Sequence, residues 1–353
     1  MTTELRTVDP RTDPAWLELA NTPSGSVFSS PPWFSAIADT YGFDVAANVL
    51  FDGDSPRAGL AYTELDDFLG NRLLSLPFCD YLDPFLTGDE AQQDVQWNEL
   101  VDPLLARGFP FQIRVLDTET PRRDPRLVVH DEMAWHCTDL TREEDEILAG
   151  LDRRARQNIR AAERHGVTVR FGSDLEDAHA FHDLHRHTRK NKHRLLAQPV
   201  SFFENIWKAF APTDSIVVGF AIHQGEVIAA SFYLVWGDVW YYKFSASIFD
   251  RSVVRPNELL AWESFKLARS RGCRYYDWGV SDLDQPGLVS YKRKLASEER
   301  RVTILRHTPP GFANPKGAEA GGVLGELTQL LTRDDVPDEV TKRAGEILYR
   351  YFT

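Results

Sequence analysis

Four groups of residues in this 353-residue chain have the types and spacing to do chemistry. The first is the pair Tyr291-Lys292, inside the run Gly287-Leu-Val-Ser-Tyr-Lys-Arg-Lys294. A fixed lysine ammonium can stabilise the oxyanion that forms as an acyl group passes from an ester to an amine, commonly the largest catalytic contribution. The same lysine also fits an exposed basic helix. The second is Asp277, set among aromatics in Tyr275-Tyr-Asp-Trp-Gly279. A carboxylate on so apolar a strand is costly unless paired. It is read as orienting Lys292 or Arg255, as a general base, or as half of a buried ion pair. The third is the step Arg251-Ser-Val-Val-Arg255-Pro-Asn257. Its two arginines can grip a phosphate or a carboxylate, and Asn257 is read as substrate-binding beside them and as the cap of the helix that follows. The fourth is a pair of basic runs. Arg153, Arg156, Arg160 and Arg164 share one helix face at i+3/i+4 spacing. Lys190 and Lys192 lie in His185-Arg-His-Thr-Arg-Lys-Asn-Lys-His-Arg194. Both runs suit a phosphate-rich partner, and both equally suit solvated helix faces.

Other chemistries are absent from the pattern. His179, His182, His185, His187 and His193 lack the carboxylate and spacing of a zinc site, so no metal is expected. Cys79, Cys137 and Cys273 are far apart and read as small buried apolar residues in a reducing compartment. There is no phosphate-cradling glycine loop, no nucleophile elbow and no Cys–His pairing. A covalent intermediate is therefore not expected; direct amine attack in a ternary complex is. The net charge of −13 is uneven. Residues 1–140 carry 24 acidic residues against 9 arginines, while residues 141–310 carry 22 against 26 basic ones. The second part is the one expected to meet an anionic partner; DNA is not expected. No run of apolar residues is long enough to span a bilayer and no leader is expected, which suggests a cytoplasmic protein.

These residues need elements to hold them. Asp13 before Pro14 and Ser30 before Pro31 predict two short helices, the second stopped by Gly42. Strands are expected over 44–51, 57–65 and 72–78, a helix over 89–107, and strands from 110 and near 127–137. Thr141-Arg-Glu-Glu144 reads as a capping box. Helices then cover 151–165, 175–195 and 201–210, the last capped by Ser201. Three strands follow, 215–222, 226–236 and 239–246, joined by tight turns and so antiparallel. A helix from Pro256 to Gly272 links them to a strand at 274–279 by a crossover that permits a parallel pair. A short helix over 287–295 and a strand over 300–306 end this part. The run 309–322, rich in Pro, Gly and Ala, reads as a linker, and 323–352 as two amphipathic segments split by Pro337. The fold class is α/β with a mixed sheet. The domains are expected at 1–140 and 141–310, with a linker and helical tail over 311–353.

An antiparallel meander followed by a strand–helix–strand crossover is the plan of GNAT acyltransferases. Trp240-Tyr-Tyr-Lys-Phe-Ser-Ala-Ser247, Arg255-Pro-Asn-Glu-Leu-Leu-Ala-Trp262, Gly272-Cys-Arg-Tyr-Tyr-Asp-Trp-Gly279 and Gly287–Lys294 resemble the Fem-type aminoacyltransferases, as do the helix from Arg153 to Val169 and Ser30-Pro-Pro-Trp33. The resemblance covers roughly residues 150–300. It implies two tandem GNAT-like domains, with the tail packed back on the N-terminal one. It implies transfer of an amino acid from the acceptor end of aminoacyl-tRNA to a small peptide or cell-wall-type amine, with no bound cofactor. Tyr291-Lys292 then stands where that family has an aromatic–lysine pair near the acyl ester, more usually Phe-Lys. Tyr242, Lys243 and Trp33 are carried over as substrate-binding residues. Two features depart from relatives. The long helical arm of some family members is missing, and the coenzyme-A loop, which needs small residues so that backbone N–H groups reach phosphate, is replaced by valines and a proline. The alternatives are an acyl-CoA-dependent N-acyltransferase and a non-enzymatic binding protein on a degenerate GNAT scaffold, whose activity would survive Lys292→Ala and Asp277→Ala.

Overall fold

A computed structural model describes residues 3–353. In chain order it contains β1 (Glu4–Val8), α1 (Pro14–Ala20), α2 (Pro31–Tyr41), β2 (Val45–Asp52), β3 (Ser55–Leu65) and β4 (Arg72–Leu74). There follow α3 (Glu90–Leu105), β5 (Phe111–Val115), α4 (Thr120–Arg123), β6 (Val128–Asp139), α5 (Glu144–Gly150) and α6 (Arg153–Arg164). Next come β7 (Thr168–Gly172), α7 (Leu175–Thr188), α8 (Val200–Phe210), β8 (Ile216–His223), β9 (Glu226–Trp236) and β10 (Val239–Ser247). The chain ends with α9 (Pro256–Ser270), β11 (Tyr275–Asp282), α10 (Pro286–Arg293), β12 (Glu298–His307), α11 (Pro315–Leu331) and α12 (Asp338–Leu348). Contacts divide it into two compact units. One is Met1–Ala134 with Arg300–Val323 and Thr353; the other is Trp135–Glu299 with Leu324–Phe352.

The first unit orders its strands β1-β2-β3-β4-β5-β12. All its pairs are antiparallel except β4–β5. The expected caps form: Asp13 accepts from the Ala15 N–H, Ser30 from that of Trp33, and Gly42 ends α2 at φ +67°. Helix α3 lays Trp97, Leu100, Val101 and Leu104 on Leu60, Phe111, Ile113 and Leu305 of the sheet. Fully burying side chains of this size contributes about 1.5–3 kcal/mol each.

The second unit orders its strands β6-β11-β10-β9-β8-β7. Strands β7 to β10 form an antiparallel meander, and β10–β11 is parallel. The β8–β9 turn is closed by Gln224 and Gly225, both at positive φ (+55° and +83°), the primed geometry that matches strand twist. Neighbouring residues of β9 face opposite ways. Tyr233 joins Phe265, Tyr276 and Trp278 in a core beneath α6 and α9, while Phe232 meets Phe181 of α7 and Phe203 of α8.

Several expectations are corrected. Strand β1, whose residues are mostly exposed, has no apolar alternation to betray it. Thr141 spends its hydroxyl on Asp139 at 2.6 Å, so Glu143 and Glu146 form the box that opens α5. Ser201 lies inside α8, behind Pro199 as N-cap. The long helix expected to 195 ends at Thr188, and a π-helical turn Arg189–His193 closes on Arg194 at φ +56°. Of the expected linker 309–322, residues 309–314 lie outside helix and strand, and 315–322 is the start of α11, opened by Asn314 accepting from the Gly317 N–H at 2.9 Å. Of the expected linker and tail, 311–323 and Thr353 belong to the first unit, where Arg72 donates to the Thr353 hydroxyl at 2.7 Å, and 324–352 belongs to the second, where Asp338 pairs with Lys190 and Asp334 with Arg194. Among the described residues no helix is long and apolar enough to cross a membrane.

Candidate active site

The parallel pairing of β10 and β11 runs only over Val239↔Tyr275, Trp240↔Tyr276 and Tyr241↔Asp277. Both strands continue beyond it, β10 to Ser247 and β11 to Asp282. Helix α10 follows β11 and brings Tyr291 and Lys292 to this end of the sheet. Lys292 is 4% exposed, and its Nζ donates to the carbonyls of Gly279 (3.3 Å) and Val280 (2.8 Å). Asp277 is 2% exposed. Its Oδ2 accepts from the indole N–H of Trp135 at 2.9 Å, and its Oδ1 from the backbone N–H of Gly279 at 2.6 Å. Gly279 sits at φ +64°, the left-handed region that a residue with a Cβ enters only at a cost.

Aromatic rings line the same place. Tyr242 lies 5.2 Å from Trp278, which meets Tyr291 edge-on at 6.2 Å. Burial pushes both tyrosine hydroxyls above their usual range, so both stay protonated. The charge of Glu258, in the first turn of α9, also bears on Tyr291, and Asn158 donates to Glu258 at 2.7 Å. Lys243 has its Nζ 5.5 Å from the Phe244 ring. Behind Lys292 stands His136, without exposed surface, its Nε2 3.1 Å from Glu299. Burial lowers the His136 pKa. The Arg293 guanidinium, hydrogen-bonded to Glu299 at 2.6 Å, brings that carboxyl down to about 2. His136 and Glu299 carried no motif, and Glu258 stood unremarked inside the run Arg255–Trp262; the fold joins all three to the site.

Where an acetyl-CoA enzyme would carry its glycine loop, residues Phe249–Val254 form a 3-10 turn, and Arg255 itself adopts φ +59° before Pro256. Arg255 is therefore the N-cap residue of α9, and Asn257 is not: it lies inside the first turn. Arg251 pairs with Glu226 at 3.0 Å on the surface.

The remaining candidates lie elsewhere. Trp33 has no exposed surface; it sits in the core of the first unit, edge-on to Phe28, and has no face to offer a substrate. Lys190 is 6% exposed and is spent on Asp338 (2.6 Å) and the Val336 carbonyl (2.5 Å), so it holds the tail rather than standing free for RNA. Lys192 is exposed. On α6, Ala155, Ile159 and Ala162 face the core while Arg153 and Arg160 face solvent. Arg156 is half-buried and donates to the Leu151 carbonyl at 2.9 Å, a structural use. The histidines of α7 are structural too: His182 bonds the Gln198 carbonyl and His185 the Gln198 side chain. Among the described residues no group of three or more His, Cys, Asp or Glu could hold a metal ion.

Residues 149–293 match the family of acetyltransferase (GNAT) domains. That match lies within the second unit. No curated protein sequence matches the chain. Among solved structures, FemX superposes with a TM-score of 0.65 at 13% identity, covering 94% of this chain and all of that one. The C-terminal domain of a putative lysylphosphatidylglycerol synthetase from Agrobacterium fabrum does so at TM-score 0.55 and 14% identity, over 90% of this chain and 95% of that one. A tandem GNAT protein from the clavulanic acid biosynthesis pathway does so at 0.54 and 11%, over 88% of this chain and all of that one. The Fem-type resemblance is thus met at the level of the fold. Tyr242, Asp277, Tyr291 and Lys292 gather where the β10–β11 pairing ends.

Proposed function

We propose that this chain is an aminoacyltransferase that moves an amino acid from aminoacyl-tRNA to an amine acceptor of the peptide or cell-wall-precursor type. The observation that carries this reading is the buried Lys292 ammonium beside the parted ends of β10 and β11, in a GNAT domain whose glycine loop is replaced by a 3-10 turn and an arginine. In the reaction the acceptor nitrogen attacks the ester carbonyl carbon. The C–N bond forms, the ester C–O bond breaks, and the amine proton passes to the leaving ribose oxygen. Negative charge grows on the carbonyl oxygen at the midpoint, and a fixed ammonium in a site of low dielectric stabilises it. Protonated Tyr242 and Tyr291 offer hydroxyl donors to the same region. Glu258, held by Asn158, is the carboxylate available to take the amine proton. Exposed Arg153 and Arg160 on α6 suit the phosphates of an RNA acceptor end.

A second reading, an N-acyltransferase using acyl-CoA, is favoured by the acetyltransferase-family match over 149–293. Donor binding separates the two. Charged tRNA should bind with an affinity that falls steeply between low and high salt, and Arg153→Ala with Arg160→Ala should flatten that dependence. Tight, salt-insensitive binding of acetyl-CoA with none of tRNA would replace the first reading by the second.

A further inference from the structure

The Lys292 ammonium rests on two successive carbonyls of one strand, those of Gly279 and Val280. In a regular strand successive carbonyls point to opposite sides, so one cation cannot take both. The strand must break its alternation between them, and it does so at Gly279, where φ is +64°. That conformation is held by the residue two places earlier: Asp277 Oδ1 accepts the Gly279 N–H at 2.6 Å. The other oxygen, Oδ2, is held by the Trp135 indole at 2.9 Å, so the carboxylate is itself fixed from a second strand, β6. The links run Trp135 to Asp277, Asp277 to Gly279, and Gly279 with Val280 to Lys292. All but the half-buried Val280 are buried.

We propose that Asp277 is a positioning residue: its carboxylate fixes the left-handed Gly279 conformation that turns two carbonyls onto Lys292, and so sets where the lysine charge stands. Its importance to catalysis rests on the reading of Lys292 given above; the positioning itself does not. Both carboxylate oxygens are occupied by N–H groups of the protein, which suits a fixed support rather than a base that exchanges protons with substrate.

The test reads Lys292 directly, in the full-length chain. Acetic anhydride is applied in trace amounts, and acetylation of each lysine is followed by mass spectrometry, with exposed Lys208 as internal reference. Asp277→Ala should raise the Lys292 rate at least about tenfold relative to Lys208, because hydrogen bonds to a charged group are lost. Asp277→Asn can keep one acceptor for Gly279, but its amide then sets N–H against the N–H of Trp135. Asp277→Asn should therefore also expose Lys292, and adding Trp135→Phe, which removes that conflict, should bring the rate back towards that of Trp135→Phe alone. A Lys292 rate in folded Asp277→Ala equal to wild type overturns the proposal. If Asp277→Ala does not fold, equal rates in Asp277→Asn with and without Trp135→Phe overturn it. In a transfer assay the positioning role further predicts a lower kcat with acceptor KM unchanged for Asp277→Asn, recovered in the double variant; a general base would not be recovered. Labelling that follows the prediction in a chain that transfers nothing from charged tRNA leaves the positioning standing and removes the donor assignment.

Discussion

At the scale of single residues, two side chains occupy costly positions, and each makes a prediction. Arg255 holds φ +59° immediately before α9, as its N-cap residue. A non-glycine residue there is strained by roughly 1 kcal/mol. Arg255→Gly should raise the urea midpoint by an equivalent of about 1 kcal/mol and, on the proposed function, weaken donor binding. His185 is buried among Phe181, Phe203 and Phe244, and burial pushes its pKa down to about 3. The unfolded chain binds a proton at this histidine near pH 6.5 and the folded chain does not, so stability falls as pH drops from 6.5 towards 3, by up to about 1.4 kcal/mol per pH unit from this residue. His136 and His182, also lowered by burial, act in the same direction. In denaturant melts at pH 7, 6, 5 and 4, His185→Phe should reduce the slope of stability against pH; an unchanged slope would remove His185 from the account.

At the scale of elements, what was legible in the sequence follows from how local the signal was. The β8–β10 meander showed itself because Gly225 and Gly237 mark its turns and the strands between them are apolar, and α2 because Ser30, Pro31 and Gly42 punctuate both ends. Tyr291-Lys292 and Asp277 stood out in the sequence because a charge among aromatics is unusual. The role of Gly279 was not, since a positive φ inside a strand leaves no pattern beyond a glycine. His136 and Glu299 gave no signal, because they meet across 163 positions of sequence, and Glu258, though inside the run Arg255–Trp262, gave no role, because its partner Asn158 is 100 positions away. Trp33 misled because a residue shared with a family motif can be shared for packing. Lys190 misled because charge runs look alike whether solvated or spent, and its partner comes from α12. That pair supplies a prediction. Lys190 keeps 7% of its side-chain surface, against 46% for Arg194. Asp338→Ala should therefore cost about 1–2 kcal/mol by leaving a buried ammonium short of a partner. Asp334→Ala should cost measurably less, because water replaces the lost partner of Arg194. Equal losses in thermal melts would contradict this account of how the tail is held.

At the scale of the whole molecule, charge is uneven along the sequence. Residues 1–140 carry the acidic surplus, and basic residues outnumber acidic ones over 141–310, the stretch that holds the acetyltransferase-family match and Lys292. An anionic donor is therefore expected to meet that stretch. The central claim is the identity of that donor. It is tested most directly by following radiolabelled amino acid from a pool of charged tRNA onto small amine acceptors, with wild type and Lys292→Ala side by side. The account predicts transfer by the wild type and a loss of about a hundredfold or more in the variant, the effect of removing one oxyanion-stabilising group. Transfer that persists in Lys292→Ala at the wild-type rate, or an acyl group accepted from coenzyme A alone, would contradict it.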